Sequence, residues 1–247
     1  MAGGLEMSRV LVKSTFTVGL LVLLMSVPVY GASVNKSIKI DAGSESDGAT
    51  SVNGSITVGD GAVVTGALNT VNGKVRVGDD ATIEDASTVN GSMRIGENVT
   101  ADELETVNGS ISVGAGGQIG GQIDTVNGGI TLGKGTVAAS DVGNVNGSIE
   151  LEGSEVGGNV QTVTGNVNLS GASTVKGDIV IEKPSRWSFG NKDSKMPEIV
   201  IGPGSVVKGK IILEREVKLY ISESAEVGGV EGTMSMDDAV RFSGEHP

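Results

Sequence analysis

Paired carboxylates are the first residues in this chain whose types could bind a metal ion. Asp79-Asp80, Glu84-Asp85 and Asp102-Glu103 are three such pairs. Ca²⁺ prefers carboxylate oxygens. However, the pairs do not keep one position within the repeat described below, and the calcium-binding nonapeptide GGxGxD is absent. We therefore predict solvated surface charge, with neither a metal site nor a bound cofactor.

The chain offers few groups for catalysis. Its one histidine, His246, is next to the last residue, and it has no cysteine. Serine and threonine are abundant, but no histidine within the repeats could act as their general base. These features predict a protein that is not an enzyme. The formal net charge of -12 also argues against a nucleic-acid partner, because phosphate binding requires a basic surface.

One segment combines basic and aromatic side chains and could bind a partner. EKPSRWSFGNKDSKMPE, at 182–198, interrupts the repeat. Two interpretations stay open: a loop whose rings fold back over the flank of the protein, or a recognition loop for an acidic or glycan partner. The side chains available for recognition are Lys183, Arg186, Trp187, Phe189, Lys192 and Lys195.

The element that must position these groups is a repeat of about 18 or 19 residues. TVNGSISVG at 106–114 has close copies along the chain, and each unit divides into three sixes with apolar residues at a period of two. Triplets rich in Gly, Asn and Asp separate the sixes and suit tight turns. The repeat predicts an all-β fold: a single-stranded parallel β-helix (solenoid) with a triangular cross-section, about ten coils tall, over 33–231. In the longer units an extra residue precedes the VNG corner, which predicts a bulge at Thr70, Thr125 and Asn144.

Stacking of the repeats predicts a column of asparagines at one corner. Such a ladder would satisfy corner backbone groups and hold the register of the coils. A polar stripe for sugars or ions is the alternative, although no aromatic rings or carboxylates alternate with these residues. The predicted ladder consists of Asn35, Asn53, Asn72, Asn90, Asn108, Asn127 and Asn146.

The N-terminus has the form of a secretory signal. Arg9 and Lys13 precede an apolar run at 16–30, and small residues follow it. We predict a signal peptide over 1–32 and a periplasmic or extracellular protein. An uncleaved signal is the alternative, and only that form would attach the protein to a membrane.

The two ends of the solenoid differ in sequence. The polar stretch at 232–247 is a candidate C-terminal cap, whereas no capping helix precedes the first coil. Val34, Ile38 and Ile40 would therefore be offered to another copy of the chain. This predicts self-association through a solenoid end.

Several lines of the sequence resemble known repeat families. GGNVQTVTGNVNLSGASTVKGDIVI at 157–181 and VIGPGSVVKGKIIL at 200–213 resemble bactofilin coils, and the TVNGSI units resemble the exported domains called putative adhesins. The period is also similar to that of the left-handed hexapeptide-repeat acyltransferases, but the resemblance to bactofilins favours a right-handed helix. Bactofilins typically lack a signal sequence, and this chain departs from them in the signal predicted above. An exported solenoid without a catalytic centre predicts a structural scaffold of the cell envelope. The alternative is an adhesin-like module that binds an envelope glycan or protein through 182–198.

Overall fold

A computed structural model of the protein describes residues 34–184 and 196–247. It confirms an all-β parallel solenoid of about ten turns. The only helical element in these two ranges is a 3-10 turn at Met236–Asp238, and neither range contains a helix that is long and apolar enough to cross a membrane. The outline of the cross-section and the hand of the coil stay predictions.

Most coils contribute one short strand to each of three parallel sheets. Sheet I has eleven strands: β1 (Ile38–Ile40), β4 (Ile56–Val58), β7 (Val75–Val77), β9 (Met93–Ile95), β12 (Ile111–Val113), β15 (Ile130–Leu132), β18 (Ile149–Glu152), β21 (Val167–Ser170), β24 (Glu198–Ile201), β27 (Lys218–Ser222) and β30 (Val240–Phe242). Sheet III has ten strands: β3 (Ala49–Ser51), β6 (Leu68–Thr70), β8 (Ala86–Asn90), β11 (Leu104–Asn108), β14 (Ile123–Asn127), β17 (Val142–Asn146), β20 (Val160–Thr162), β23 (Ile179–Ile181), β26 (Ile211–Leu213) and β29 (Val230–Gly232).

Sheet II consists of two-residue strands. They are β2 (Glu45–Ser46), β5 (Val63–Val64), β10 (Thr100–Ala101), β13 (Gln118–Ile119), β16 (Val137–Ala138), β19 (Glu155–Val156), β22 (Thr174–Val175), β25 (Val206–Val207) and β28 (Glu226–Val227). Single bridges from Thr82 to Val63 and to Thr100 join its two parts. Sheet II is therefore the least extensively paired of the three sheets.

The core is a stack of aliphatic side chains inside the coils. In β4, Ile56 and Val58 are buried and Thr57 between them points outward, as the period of two predicts. Ile56 pairs with Ile38 in the coil before and with Val75 in the coil after, so like residues stack through the core. The large fully buried side chains are aliphatic or methionine, in keeping with the low aromatic content.

The prediction of bulges before the VNG corner is wrong. Thr70 pairs in register with Ser51 on one side and Thr88 on the other, so it belongs to the sheet III ladder. The extra residue lies instead in the turn between sheet II and sheet III. This turn is short in the first coil, where it consists of 47–48, and it is longer by one position in the longer coils: 65–67, 120–122 and 139–141.

The stack continues on both sides of the 182–198 segment. β21 pairs with β24 and β23 pairs with β26, so the coils before and after the segment contact each other directly. At the C-terminus, 232–247 supplies β30, which pairs with β27. Phe242 is buried there, and Met234 and Met236 pack against the core.

Candidate functional site

The structure brings the seven predicted corner asparagines together in one column. Each Nδ2 donates to the Oδ1 of the asparagine in the preceding coil, over six consecutive hydrogen bonds of 2.8 to 2.9 Å. The Thr164 hydroxyl continues the column by donating to Asn146. Each asparagine inside the column therefore uses one of its two side-chain N–H groups and its Oδ1 within the column. Its second N–H stays available to solvent.

A second polar column, whose role was not predicted from the sequence, lies directly inside the asparagines. Thr106 is buried, and its Oγ1 donates to the carbonyl of Gly91 at 3.0 Å. The same bond, at 2.8 to 3.1 Å, is made by Ser51, Thr70, Thr88 and Thr125 and by the amide of Asn144. The Ser or Thr that recurs two residues before every corner asparagine except Asn146 was the available signal. Two columns of hydrogen bonds between coils therefore stabilise this corner, one on its outer side and one on its inner side.

A glycine follows every corner asparagine except Asn35, and close backbone approach requires it. A Cβ built on Gly109 would lie 1.9 Å from the carbonyl oxygen of Gly91, and one on Gly91 would lie 1.8 Å from that of Gly73. No side chain fits at such distances. The VNG motif is therefore explained by packing of the corner, in which the asparagine bonds between coils and the glycine lets the coils approach.

An acidic cluster on the outer face of sheet III is the most perturbed group of titratable residues in the described ranges. Glu105 on β11 pairs in register with Asp124 on β14, and Glu103 and Asp141 lie in the turns that lead into β11 and β17. Burial, followed by the charge of Glu105, raises the pKa of Asp124 to about 7. Burial and the neighbouring Glu103 raise the pKa of Glu105 to about 7. Burial is the main cause of both shifts, and the neighbouring carboxylates add to it.

The cluster does not form a metal centre. Across 34–184 and 196–247, no group of three or more Asp, Glu, His or Cys side chains has a geometry suited to a metal ion. The carboxylate pairs that stand next to each other in the sequence also bond to different parts of the neighbouring coils. Asp79 accepts from the backbone of Glu97 at 2.8 Å, whereas Asp85 accepts from the backbone of Glu103 at 3.3 Å. His246 is exposed in the C-terminal segment, and no nucleophile of the described residues is bonded to it.

The predicted assembly residues lie at the N-terminal end of the described stack. β1 pairs with β4 on one side and has no partner strand on the other among residues 34–184 and 196–247. Val34 is 63% exposed and Ile38 is partly buried, whereas Ile40 is 7% exposed and belongs to the core. The edge therefore combines unpaired backbone groups with an apolar rim.

Most of the predicted recognition loop lies outside the described residues. This applies to Arg186, Trp187, Phe189, Lys192 and Lys195. Lys183 is described and exposed, and its backbone N–H donates to a carboxylate oxygen of Glu214 at 3.0 Å. Burial and the charge of Glu214 raise the pKa of Glu182. The signal peptide predicted at 1–32 also lies outside the described residues.

Comparisons with protein-family models, with curated proteins and with solved structures find no match to this chain.

Proposed function

We propose that the protein is an exported, non-enzymatic scaffold of the cell envelope that assembles through its N-terminal solenoid edge. The observation that carries this proposal is the edge formed by β1, which is unpaired within the described stack and bordered by the exposed Val34. Parallel coils make a rod whose length is set by the number of repeats, and an open strand edge is a template for pairing with another chain.

A head-to-head dimer is the assembly that fits the covering of the two ends. The last coil is extended by β30 and the residues after it. The first coil has no such extension in the described range. Two N-terminal edges related by a two-fold axis bury the same apolar rim twice and close the assembly.

Light scattering on protein that lacks residues 1–32 tests this assembly. We expect a dimer at micromolar concentration. Val34→Asp places a charge on the exposed rim, and Ile38→Lys places one next to the core, so both are expected to give monomers. Thr131→Lys, which adds a charge to the outer face of sheet I far from the edge, is the matched control and is expected to stay dimeric. A monomeric parent protein would refute assembly through this edge.

Export is tested separately by the mass of the protein recovered from the envelope fraction. Cleavage of the signal predicts a mature chain that begins at Ala32 or Ser33. A recovered chain that retains 16–30 would contradict the cleaved form.

A binding module is the second candidate function, and the position of the 182–198 segment favours it. Ile179 pairs directly with Ile211, although the chain between them is much longer than the regular coil that joins Val160 to Ile179. The stack therefore does not need these additional residues, and insertions in solenoids often lie on a binding face. On this proposal the segment would bind an envelope glycan or protein.

Replacement of 184–196 by a short Gly-Ser linker distinguishes the two functions. Because the coils pair across the segment, we expect the shortened protein to fold. A scaffold keeps its dimeric mass after this change and recovers the same envelope components in a pull-down. A binding module loses them.

A further inference from the structure

Basic residues are concentrated on one face of the N-terminal two thirds of the protein. Residues 33–174 contain six Lys and Arg side chains, and five of them lie on the outer face of sheet I or in the turns that lead into it. They are Lys36, Lys39, Lys74, Arg76 and Arg94. The sixth, Lys134, is exposed in the turn after β15. In a chain with a net charge of -12, this is a local reversal of sign.

Two of these cations are stacked on one another. Arg76 on β7 pairs in register with Arg94 on β9, and both side chains point outward. Adjacent strands are about 4.8 Å apart, and like charges directly opposite each other are unfavourable. The ion pairs within 34–184 and 196–247 are Lys39–Asp41, Lys176–Glu155 and Lys210–Glu231. Lys74, Arg76 and Arg94 therefore have no carboxylate partner among the described residues.

Serine side chains and the stacked arginines line a depression of about 390 Å³. Lys74, Arg76 and Arg94 line it together with Ser92, Ser110 and Ser112. The Ser92 Oγ accepts the N–H of Ser110 at 3.4 Å, and the Ser110 Oγ accepts the N–H of Gly129 at 3.3 Å. A hydroxyl that already accepts a hydrogen bond still has its proton to donate. The depression therefore presents hydrogen-bond donors and positive charge, with no carboxylate among its lining residues.

We propose that this depression, the basic depression, binds an oxyanion group: a phosphate, sulfate or carboxylate. Guanidinium groups donate in a fork that matches two oxygens of such a group, and two stacked arginines can hold it from adjacent coils. Lys74 adds a point charge, and the serine hydroxyls donate to the remaining oxygens. The bound group also neutralises the repulsion between Arg76 and Arg94.

The source of the oxyanion is a free ion or a charged group on a glycan, and of these the glycan fits better. The cations continue from the depression along sheet I to Lys39, which is separated from Arg76 only by Thr57. A polymer with repeated charged groups can contact this whole row. No aromatic ring lines the depression, so the stacking that single-stranded nucleic acids require has no platform there. This inference does not depend on the scaffold role.

Calorimetry with inorganic phosphate and with a sulfated hexasaccharide, at low and high NaCl, tests the inference. We expect the hexasaccharide to bind at least about tenfold more tightly than phosphate and to weaken with salt, because several charges are neutralised together. The double variant Arg76→Gln/Arg94→Gln is expected to bind at least about tenfold more weakly. Lys134→Gln, which removes one exposed charge elsewhere, is the matched control and should change the affinity less than about twofold.

Folding of the double variant is checked by thermal unfolding. Removal of two stacked like charges should leave the unfolding temperature of the double variant equal to that of the parent or above it. Phosphate should raise the unfolding temperature of the parent protein but not that of the double variant. Equal affinity for phosphate and hexasaccharide would assign the depression to a free ion. Tighter binding of a single-stranded oligonucleotide of equal charge would overturn the glycan assignment. If neither probe binds, or if Lys134→Gln weakens binding as much as the double variant, no oxyanion site exists there.

Discussion

Asp124→Asn is expected to stabilise the protein at alkaline pH, because it removes a charge that the fold disfavours. Asp124 lies between β11 and β17 on the outer face of sheet III, where burial and the charges of Glu105, Glu103 and Asp141 raise its pKa to about 7. The described part of this face places no cation against it. Asparagine has the same shape and carries no charge, so the substitution tests the electrostatic cost alone.

The sign of the pH dependence follows from the direction of the shift. The pKa of Asp124 in the fold lies above the value near 3.9 of an unfolded chain. Between these values the folded state binds more protons than the unfolded state, so stability falls as the pH rises through this window. The cost of ionisation is fully present above pH 7 and vanishes below about pH 4. Three pH units correspond to about 4 kcal/mol as an upper limit, and partial exposure to solvent reduces this to on the order of 2 kcal/mol.

Urea unfolding followed by far-UV circular dichroism at pH 4.5, 6 and 8 measures the effect. We expect Asp124→Asn to exceed the parent by about 2 kcal/mol at pH 8 and by about 1 kcal/mol at pH 4.5. Glu150→Gln neutralises an exposed carboxylate on sheet I and should change stability by less than about 0.5 kcal/mol at each pH. The reasoning is refuted if Asp124→Asn and the parent unfold at the same urea concentration at pH 8.

Three further substitutions test the corner and the core, with thermal or urea unfolding as the measurement. Gly109→Ala should cost more than about 3 kcal/mol because its Cβ would meet a carbonyl oxygen at 1.9 Å. Gly61→Ala, at φ 64° with open space around it, should cost about 1 kcal/mol. Equal destabilisation by the two glycine substitutions would contradict the close backbone approach at Gly109. Asn108→Leu should destabilise by about 1 to 2 kcal/mol because it breaks two column bonds, and Asn35→Leu by less because it breaks one; equal effects would count against a cooperative column. Ser205→Ala should stabilise by about 1 kcal/mol because its buried hydroxyl has no hydrogen-bond partner among the residues that the structure describes, and alanine already occupies the equivalent turn position of the second coil. Destabilisation would show that this hydroxyl is bonded.

The stacked coils were predictable because a period of two inside a longer period of nearly constant length admits few other folds. The alternation of Ile56, Thr57 and Val58 identifies one inward face, and the corner asparagines identify which residues are equivalent between coils. The place of the extra residue was not predictable in the same way. Every turn is rich in small and polar residues, so a sequence aligned on VNG cannot show which turn is longer.

The acidic cluster and the basic depression were missed for a related reason. Their members lie one coil apart in the chain, as Glu105 and Asp124 do, and become neighbours only through the register of the sheets. The carboxylates that stand next to each other in sequence, such as Asp79 and Asp80, bond to different residues of the next coil. Chemistry on a solenoid face is therefore found by comparing residues one coil apart.

The uniform spacing between paired strands also determines how this chain can fold. Because paired strands in the regular coils are separated by a nearly constant length of chain, each new coil closes a loop of nearly the same size. The loop that includes 182–198 is less than twice as long, which adds only about 0.5 kcal/mol of closure entropy. A folding front that starts in any coil can therefore advance in both directions against nearly equal barriers, and the time to fold rises with the number of coils rather than with the distance between the chain ends.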